Sequence, residues 1–216
     1  MSDKNRVEKE KRIWEKLAQS YDKQSSVYKN AYRLSIEKTK AILKSHQNVL
    51  EIGCGTGIIT FGIADSIKKI TAIDISPKMI DVAKEKATKL NKTNIEFKVA
   101  DGYELPYKDE EFDVILLFNV LYIIKEPEKQ LKEAYKLLKK GGYLVTVTDC
   151  CGEPVPLKIK FKLILQNILN KIGILPYLKN FQKDELRRLL QDNGFTFIED
   201  DILHPAPINY YVLLQK

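Results

Sequence analysis

The sequence predicts an α/β fold built on a mostly parallel sheet with helices on both faces. Short apolar segments alternate with amphipathic segments through most of the chain, and such alternation is typical of strands joined by helical crossovers. The run FDVILLF at Phe112–Phe118 suits a central strand that is buried on both sides. No helix fits between Asp201 and Asn209, so the last two strands form a hairpin and one of them is antiparallel to the rest.

Seven strands follow from the apolar runs between turn and helix signals. The final strand is assigned the antiparallel direction, and a loop with His204, Pro205 and Pro207 precedes it. The predicted bounds of the strands are 47–52, 69–74, 94–100, 112–118, 143–149, 195–201 and 209–215.

Helical periodicity and end signals predict the helices between these strands. Ser76 and Pro77 provide an N-cap and a first helical residue, and the pair Gly141 and Gly142 provides a C-terminal stop. The predicted bounds are 7–17, 32–44, 58–66, 77–90, 127–140 and 183–193. We expect a single domain over 1–216, in which 1–45 form an N-terminal helical cap and 154–183 form a lid-like insertion.

Composition limits the class of protein. The chain has 216 residues, of which 44% are hydrophobic and 30% charged, as in ordinary globular proteins. It contains no apolar run long enough to span a membrane and its first residues lack a secretory signal, so we expect a cytoplasmic protein.

Three cysteines and two histidines, with no CxxC, predict neither a disulfide framework nor a metal site. The net charge of +7 comes mostly from lysine, whereas nucleic-acid readers more typically use arginine, so nucleic acid is an alternative partner and not the leading one.

The most informative motif is VLEIGCGTGII at the end of the first strand, with Gly53, Gly55 and Gly57. A glycine-rich turn at this place lets backbone approach a nucleotide-like ligand. The dinucleotide pattern G-x-G-x-x-G would need glycine at Ile58, and its absence argues against a dinucleotide-dependent oxidoreductase. Cys54 could approach the ligand or could simply be a small residue that fits the turn.

This motif resembles the first motif of the class I S-adenosylmethionine-dependent methyltransferases. The resemblance covers most of the chain, and the ubiquinone/menaquinone-type methyltransferases are among the look-alikes. It implies a Rossmann-like fold, S-adenosylmethionine as cofactor and no metal. The [DNS]PP[YF] motif of enzymes that methylate amino groups of DNA bases or glutamine is absent after the fourth strand, where the sequence is NVLYII.

The resemblance also implies residues for the nucleoside half of the cofactor. Asp74 ends the second strand and would accept hydrogen bonds from the ribose hydroxyls, with Ile75 beside the adenine. Met79 could pack on the adenine or belong to the core. Asp101 would meet the adenine amino group, and Gly102 would supply backbone.

Other residues are implied for the methionine half of the cofactor. Glu51 would help to set the turn, and Asn119, just past the fourth strand, would line the methyl-transfer site. The segment WEKLAQSYD resembles a helix that folds over the cofactor in small-molecule methyltransferases. Tyr21 is the candidate aromatic residue there, and Trp14 would pack that helix down.

The acceptor half is less defined because methyl transfer from a sulfonium needs positioning and often no strong base. Candidate bases are His204 in the predicted hairpin loop, Tyr122, Asp149 after the fifth strand, and Glu153. For His204 the interpretation as an exposed loop histidine is favoured over that as a base, and Asp149 could pair locally.

The segment 154–183 contains lysines and no acid. Three uses are open for it: core packing with a solvated lysine face, a wall of a pocket for an apolar or anionic small molecule, or contact with an anionic membrane that supplies a lipid-like acceptor. Its apolar residues at helical spacing include Leu157, Phe161, Ile164, Leu165, Ile168 and Ile172.

Together these features predict transfer of a methyl group from S-adenosylmethionine to an O, N or C atom of a small molecule by in-line displacement. The alternatives are a methyltransferase that acts on RNA or on a lipid or quinone precursor, and a non-catalytic S-adenosylmethionine-binding module.

Overall fold

Seven strands form one sheet in the computed structural model, which describes residues 3–171 and 174–216. They are β1 (Asn48–Ile52), β2 (Lys69–Asp74), β3 (Ile95–Val99), β4 (Phe112–Phe118), β5 (Leu138–Cys150), β6 (Thr196–Pro205) and β7 (Ile208–Gln215). The spatial order is β3-β2-β1-β4-β5-β7-β6. β7 runs antiparallel to both of its neighbours, β5 and β6, while the other pairs in the sheet are parallel, so the predicted mostly parallel sheet with an antiparallel last strand is confirmed.

Helices cover both faces of the sheet, as predicted. α3 and α4 pack on one face with Val49 and Val114, and α5 packs on the same face. α6 and α8 pack on the other face with Leu50 and Ile115. The described helices are α1 (Asp3–Leu17), α2 (Tyr21–Ser25), α3 (Lys29–Ile42), α4 (Ile58–Ile63), α5 (Pro77–Lys89), α6 (Pro127–Leu137), α7 (Leu157–Lys171) and α8 (Lys183–Asp192).

The strand order reverses at β1, which pairs with β2 on one side and β4 on the other. Parallel strands bring their carboxyl ends to one edge of a sheet, and ligands of open α/β sheets bind at such a reversal. The ends of β1, β2, β3, β4 and β5 therefore share one crevice.

The prediction that a helix continues to residue 140 is wrong. α6 ends at Leu137, and β5 starts at Leu138 rather than at Tyr143. Leu138 is fully buried and pairs with Phe112 of β4, so burial favours extended backbone there. The backbone of Gly142 lies close to that of Asp113, since a Cβ at Gly142 would approach the Asp113 carbonyl oxygen to 2.9 Å.

The loop between the last two strands is shorter than predicted. β6 extends to Pro205 and β7 begins at Ile208, so only Ala206 and Pro207 connect them. His204 pairs with Asn209 across the two strands. The prediction that His204 lies in a loop is therefore wrong, because ladder pairing continues to the turn.

The N-terminal segment and α7 lie at the edge of the crevice. α1 and α3 match the two helices predicted there, and the short α2 between them was not predicted. α7 forms within the predicted insertion, while Ile172 of the predicted apolar pattern lies outside the described residues. None of the described helices is both long and apolar enough to cross a membrane.

Candidate active site

The glycine-rich turn after β1 requires backbone that other residues rarely adopt. Gly53, Gly55 and Gly57 all have positive φ, of 74°, 55° and 85°, in the region that glycine enters without a steric penalty. A Cβ at Gly53 would also lie 2.5 Å from the Cγ2 atom of Val120. The turn therefore keeps its backbone bare both for its own conformation and for close approach at the crevice.

Asp74 holds this turn at the end of β2. Its two carboxylate oxygens accept hydrogen bonds from the backbone N–H groups of Gly55, at 2.9 Å, and Ser76, at 2.8 Å. Burial raises the pKa of Asp74 to about 6, although these two hydrogen bonds oppose the shift. The carboxylate thus fixes the turn and also lies on the wall of the crevice.

A first cavity lies between the glycine turn and the ends of β2, β3 and β4; we call it the cofactor cavity. It gathers most of the residues predicted for the cofactor, from five separate segments of the chain. The predicted residues on its wall are Trp14, Tyr21, Gly53, Gly55, Asp74, Ile75, Met79, Asp101, Gly102, Asn119 and Tyr122.

Three residues predicted for the cofactor are placed differently: Glu51, Cys54 and Gly57 are not on the walls of the described cavities. Glu51 is 2% exposed and accepts a hydrogen bond from the Thr60 hydroxyl at 2.5 Å. Burial raises the pKa of Glu51 to about 8 and raises the pKa of the Cys54 thiol well above its ordinary value. Glu51 therefore connects the end of β1 with α4, and Cys54 and Gly57 belong to the turn itself.

The N-terminal segment is attached to the turn by a polar cluster. Asp22 of α2 accepts a hydrogen bond from the Thr56 hydroxyl at 2.5 Å and forms an ion pair with Lys86 of α5. Lys86 also donates to the Thr56 carbonyl oxygen at 3.1 Å. The adjacent Tyr21 reaches the turn, since a Cβ at Gly55 would lie 3.7 Å from its ring. The cluster positions Tyr21 on the cofactor cavity.

A second cavity adjoins the first; we call it the acceptor cavity because the predicted bases Asp149 and Tyr122 line it. It lies between α2, α3, the end of β5 and the chain after α7, and its lining includes Tyr28, Tyr32 and Asp149. The residues that line both cavities are Trp14, Tyr21, Phe118, Asn119, Tyr122 and Ile123.

Asp149 is the predicted base that the structure places on the acceptor cavity together with Tyr122. Its carboxylate accepts a hydrogen bond from the Asn209 side chain at 2.7 Å and another from the Tyr122 hydroxyl. Burial raises the pKa of Asp149, while these donors and the nearby His204 lower it. Burial also raises the pKa of Tyr122 well above its ordinary value, so Asp149 is the better proton acceptor of the two.

The other two candidate bases do not line the acceptor cavity. His204 lies in the groove beneath α7, where its ring meets Tyr28 edge-on with centroids 5.7 Å apart. Its Nδ1 lies 3.1 Å from the Pro207 carbonyl oxygen. Glu153 accepts a hydrogen bond from the backbone N–H of Lys183, at the start of α8.

Several lining residues were not identified in the sequence. Gln130 of α6 lines the cofactor cavity, and its amide donates to the Gly102 carbonyl oxygen at 2.9 Å. Asn209 contacts both Asp149 and Asn119, which depends on the pairing of β7 with β5. Tyr28 and Tyr32 could have been identified from the sequence. They are four residues apart on consecutive helical turns, and this spacing predicts that both rings lie on one face.

Comparison with known proteins is consistent with this geometry. A sequence-family model described as "Methyltransferase domain" matches residues 43–194. Demethylmenaquinone methyltransferase of Listeria monocytogenes is 30% identical over 148 residues, which cover 65% of this chain and 62% of that protein. The chain therefore spans less than two thirds of the length of that relative.

Solved structures share the fold at lower sequence identity. The phosphoethanolamine N-methyltransferase 2 of Haemonchus contortus, solved with S-adenosylhomocysteine, superposes with a TM-score of 0.69 at 18% identity, covering 85% of this chain and 52% of that one. The [4+2]-cyclase SpnF superposes with the same TM-score of 0.69 at 18% identity, covering 86% and 80%. The family match over residues 43–194 shows that the chain belongs to the methyltransferase-domain family, among the class I S-adenosylmethionine-dependent methyltransferases.

Proposed function

We propose that this protein transfers the methyl group of S-adenosylmethionine to a small, largely apolar acceptor bound in the acceptor cavity. The observation that carries this proposal is the shared wall of the two cavities, in which Asn119 and Tyr122 face both. A methyl donor on one side and an acceptor on the other would meet at this wall. The bare glycine turn and the Asp74 carboxylate fit the amino-acid and ribose parts of the cofactor.

The lining of the acceptor cavity supports a neutral or cationic acceptor. Asp149 is the one charged side chain among the described residues that line it, and the other members are mainly aromatic, aliphatic or amide side chains. An anionic group would meet no cation there and would face the Asp149 carboxylate. We therefore favour the apolar over the anionic acceptor.

A phenolic ring, as in a quinone precursor, suits this cavity. The Listeria relative is named for demethylmenaquinone, and a ring of that kind would pack on aromatic side chains while a hydroxyl reached Asp149. Loss of the phenolic proton makes the ring carbons and the oxygen more nucleophilic. Burial raises the pKa of Asp149, and a base with a pKa nearer neutrality takes up a proton more effectively.

The chemistry divides between cofactor and protein. The sulfonium of the bound cofactor activates the methyl carbon for displacement. The chain holds the acceptor in line through the rings of Tyr21 and Tyr122, excludes water with Trp14, and accepts a proton at Asp149, which Asn209 orients.

An amine acceptor is the second candidate. Tyr28, Tyr32 and Tyr122 line one cavity with a carboxylate, and ring faces together with a carboxylate recognise ammonium groups. In that case Asp149 would hold the cation and accept its proton.

Turnover with a panel of phenols, quinols and amines, followed by mass spectrometry of the product, tests the proposal. We expect Asp149→Asn to lower kcat by about 10²–10⁴-fold while the affinity for S-adenosylhomocysteine stays within about twofold, because Asp149 does not line the cofactor cavity. Wild-type kcat should rise with pH through the raised pKa of Asp149, and the variant should lose that dependence.

Asp81→Asn, at an exposed acid on α5, is the matched control and should change neither quantity. Full turnover by Asp149→Asn would remove the base from the mechanism. Tight cofactor binding without a product from any acceptor would favour a non-catalytic binding module.

A further inference from the structure

The outer face of α7 is apolar and uncovered. Of twelve large hydrophobic residues that are exposed in the described chain, seven lie between residues 157 and 177. At about 100° per residue, five of the seven fall within an arc of about 100° on one side of α7, which we call the α7 stripe. Its members are Leu157, Phe161, Ile164, Leu165 and Ile168, with exposed fractions of 69%, 67%, 47%, 58% and 52%.

Lysines border the α7 stripe on both sides. Lys158 and Lys162 follow one edge of the arc and Lys160 follows the other, and all three side chains are exposed. In the described part of the chain none of the three has an ion-pair partner. The sequence contains no acid between residues 154 and 183. The surface therefore combines uncovered apolar side chains with uncompensated positive charge.

The opposite face of α7 has a different role. Ile159, Leu163 and Leu169 line a groove of about 880 Å³ beneath the helix, and the groove reaches Asp149 and Tyr122. Leu165, at one edge of the α7 stripe, also lines this groove. The other four members are exposed and line none of the described cavities, so core packing, the first of the three uses that the sequence leaves open, does not account for them. α7 is apolar on two sides, one turned to the site and one to the outside.

We propose that the α7 stripe docks on an anionic lipid bilayer. Apolar side chains of an interfacial helix enter the boundary between headgroups and acyl chains, and flanking lysines bind anionic headgroups. The groove behind the helix then opens from the bilayer toward Asp149. The delivery of an apolar acceptor along this groove rests on the proposed function, whereas the docking itself does not.

Co-sedimentation of the full chain with vesicles tests the docking. We expect binding to vesicles of phosphatidylcholine mixed with phosphatidylglycerol, weaker binding to phosphatidylcholine alone, and loss of binding as salt is raised. The triple variant Lys158→Glu/Lys160→Glu/Lys162→Glu should bind the anionic vesicles at least about 100-fold more weakly. The stripe variant Phe161→Ser/Ile164→Ser/Ile168→Ser should bind at least about tenfold more weakly.

Each variant has a matched control. Lys84→Glu/Lys108→Glu/Lys132→Glu makes the same charge change at exposed lysines elsewhere, and Leu90→Ser/Val99→Ser/Ile198→Ser removes three other exposed apolar residues. Both should bind vesicles as the wild type does, apart from a small general charge effect. All variants should keep their affinity for S-adenosylhomocysteine, which checks that they fold.

Absence of vesicle binding, or equal binding by the stripe variant and its control, would overturn the proposal. A wild-type dimer that becomes monomeric in the stripe variant would show that a second copy covers the stripe, and would also overturn it. Methyl transfer is measured in parallel without vesicles. Transfer without docking overturns only this inference, and docking without transfer overturns only the proposed function.

Discussion

At the scale of single residues, Glu51 combines full burial with a titratable group. Burial raises its pKa from an ordinary value of 4.5 to about 8. Between pH 4.5 and about pH 8, Glu51 has released its proton in the unfolded chain and still holds it in the folded chain. The free energy of unfolding therefore falls as pH rises through this range, with a slope from Glu51 that approaches about 1.4 kcal/mol per pH unit.

We expect Glu51→Gln to remove this slope while its amide keeps a hydrogen bond with Thr60. The stability of the variant relative to the wild type should increase steadily from pH 5 to pH 8. Urea unfolding at several pH values measures the difference, and Glu128→Gln, at an exposed acid of α6, is the control. If the free energies of unfolding of Glu51→Gln and of the wild type changed with pH in the same way, Glu51 would not be a buried neutral acid.

The residues of the site differ in how well the sequence predicted them. Asp74 and the glycines carry local signals, because a strand end and a turn impose their residue types on a short segment. Asn209 carries none, since its contact with Asp149 arises from a strand register between segments 60 residues apart. The assignment of individual cofactor contacts remains a prediction.

At the scale of elements, Asp22 attaches α2 to the glycine turn. Thr56, whose hydroxyl donates to Asp22, is only 1% exposed. The loss of the hydroxyl's partner is therefore costly, even though the ion pair between Asp22 and Lys86 is partly exposed. The attachment of α2 therefore depends more on this hydrogen bond than on the ion pair.

We expect Asp22→Ala to weaken binding of S-adenosylhomocysteine by about 5–10-fold, which corresponds to about 1 kcal/mol for one buried hydroxyl left without its partner. Isothermal titration calorimetry measures the affinity, and Lys23→Ala at the adjacent exposed position serves as control. An unchanged affinity in Asp22→Ala would show that α2 is not a wall of the cofactor site.

The elements were predicted best where local sequence decides them. The helix that begins at Pro77 has its cap in the sequence, and the Ser76 hydroxyl does accept from the Met79 N–H at 3.3 Å. Leu138 was assigned to a helix because its extended conformation comes from pairing with distant Phe112. The same limit applies to α7, whose periodicity shows an apolar side and not which way that side faces.

At the scale of the whole molecule, cofactor binding should be visible as stabilisation. A ligand at about 100 times its Kd adds about 2.7 kcal/mol to the free energy of unfolding, which raises Tm by about 5–10 °C for a domain of this size. We expect this shift with S-adenosylmethionine and S-adenosylhomocysteine.

Differential scanning fluorimetry measures the shift, and NAD(H) at the same concentration is the control ligand. NAD(H) should leave Tm unchanged because the third glycine of the dinucleotide pattern is replaced by Ile58. Stabilisation by NAD(H) alone would overturn the assignment of the cofactor.

The alternation of strands and helices predicted the global architecture, because each crossover imposes a parallel strand and a handed connection. It could not predict where the hairpin enters the sheet. β7 inserts between β5 and β6 rather than at the edge, a choice made by the burial of Tyr210, Val212 and Leu214 against β5.

Under the proposed function, this insertion links the integrity of the sheet to the position of the catalytic base. Because β7 is the sixth of seven strands in the sheet, a protease that removed residues 208–215 would not trim an outer strand: it would leave β6 without its pairing partner and would expose the edge of β5. The same cut would take Asn209 from Asp149, while the glycine turn and Asp74 would keep their own hydrogen bonds. Under the proposed function, a clipped chain that stayed folded would still bind the cofactor and would lose the orientation of its base.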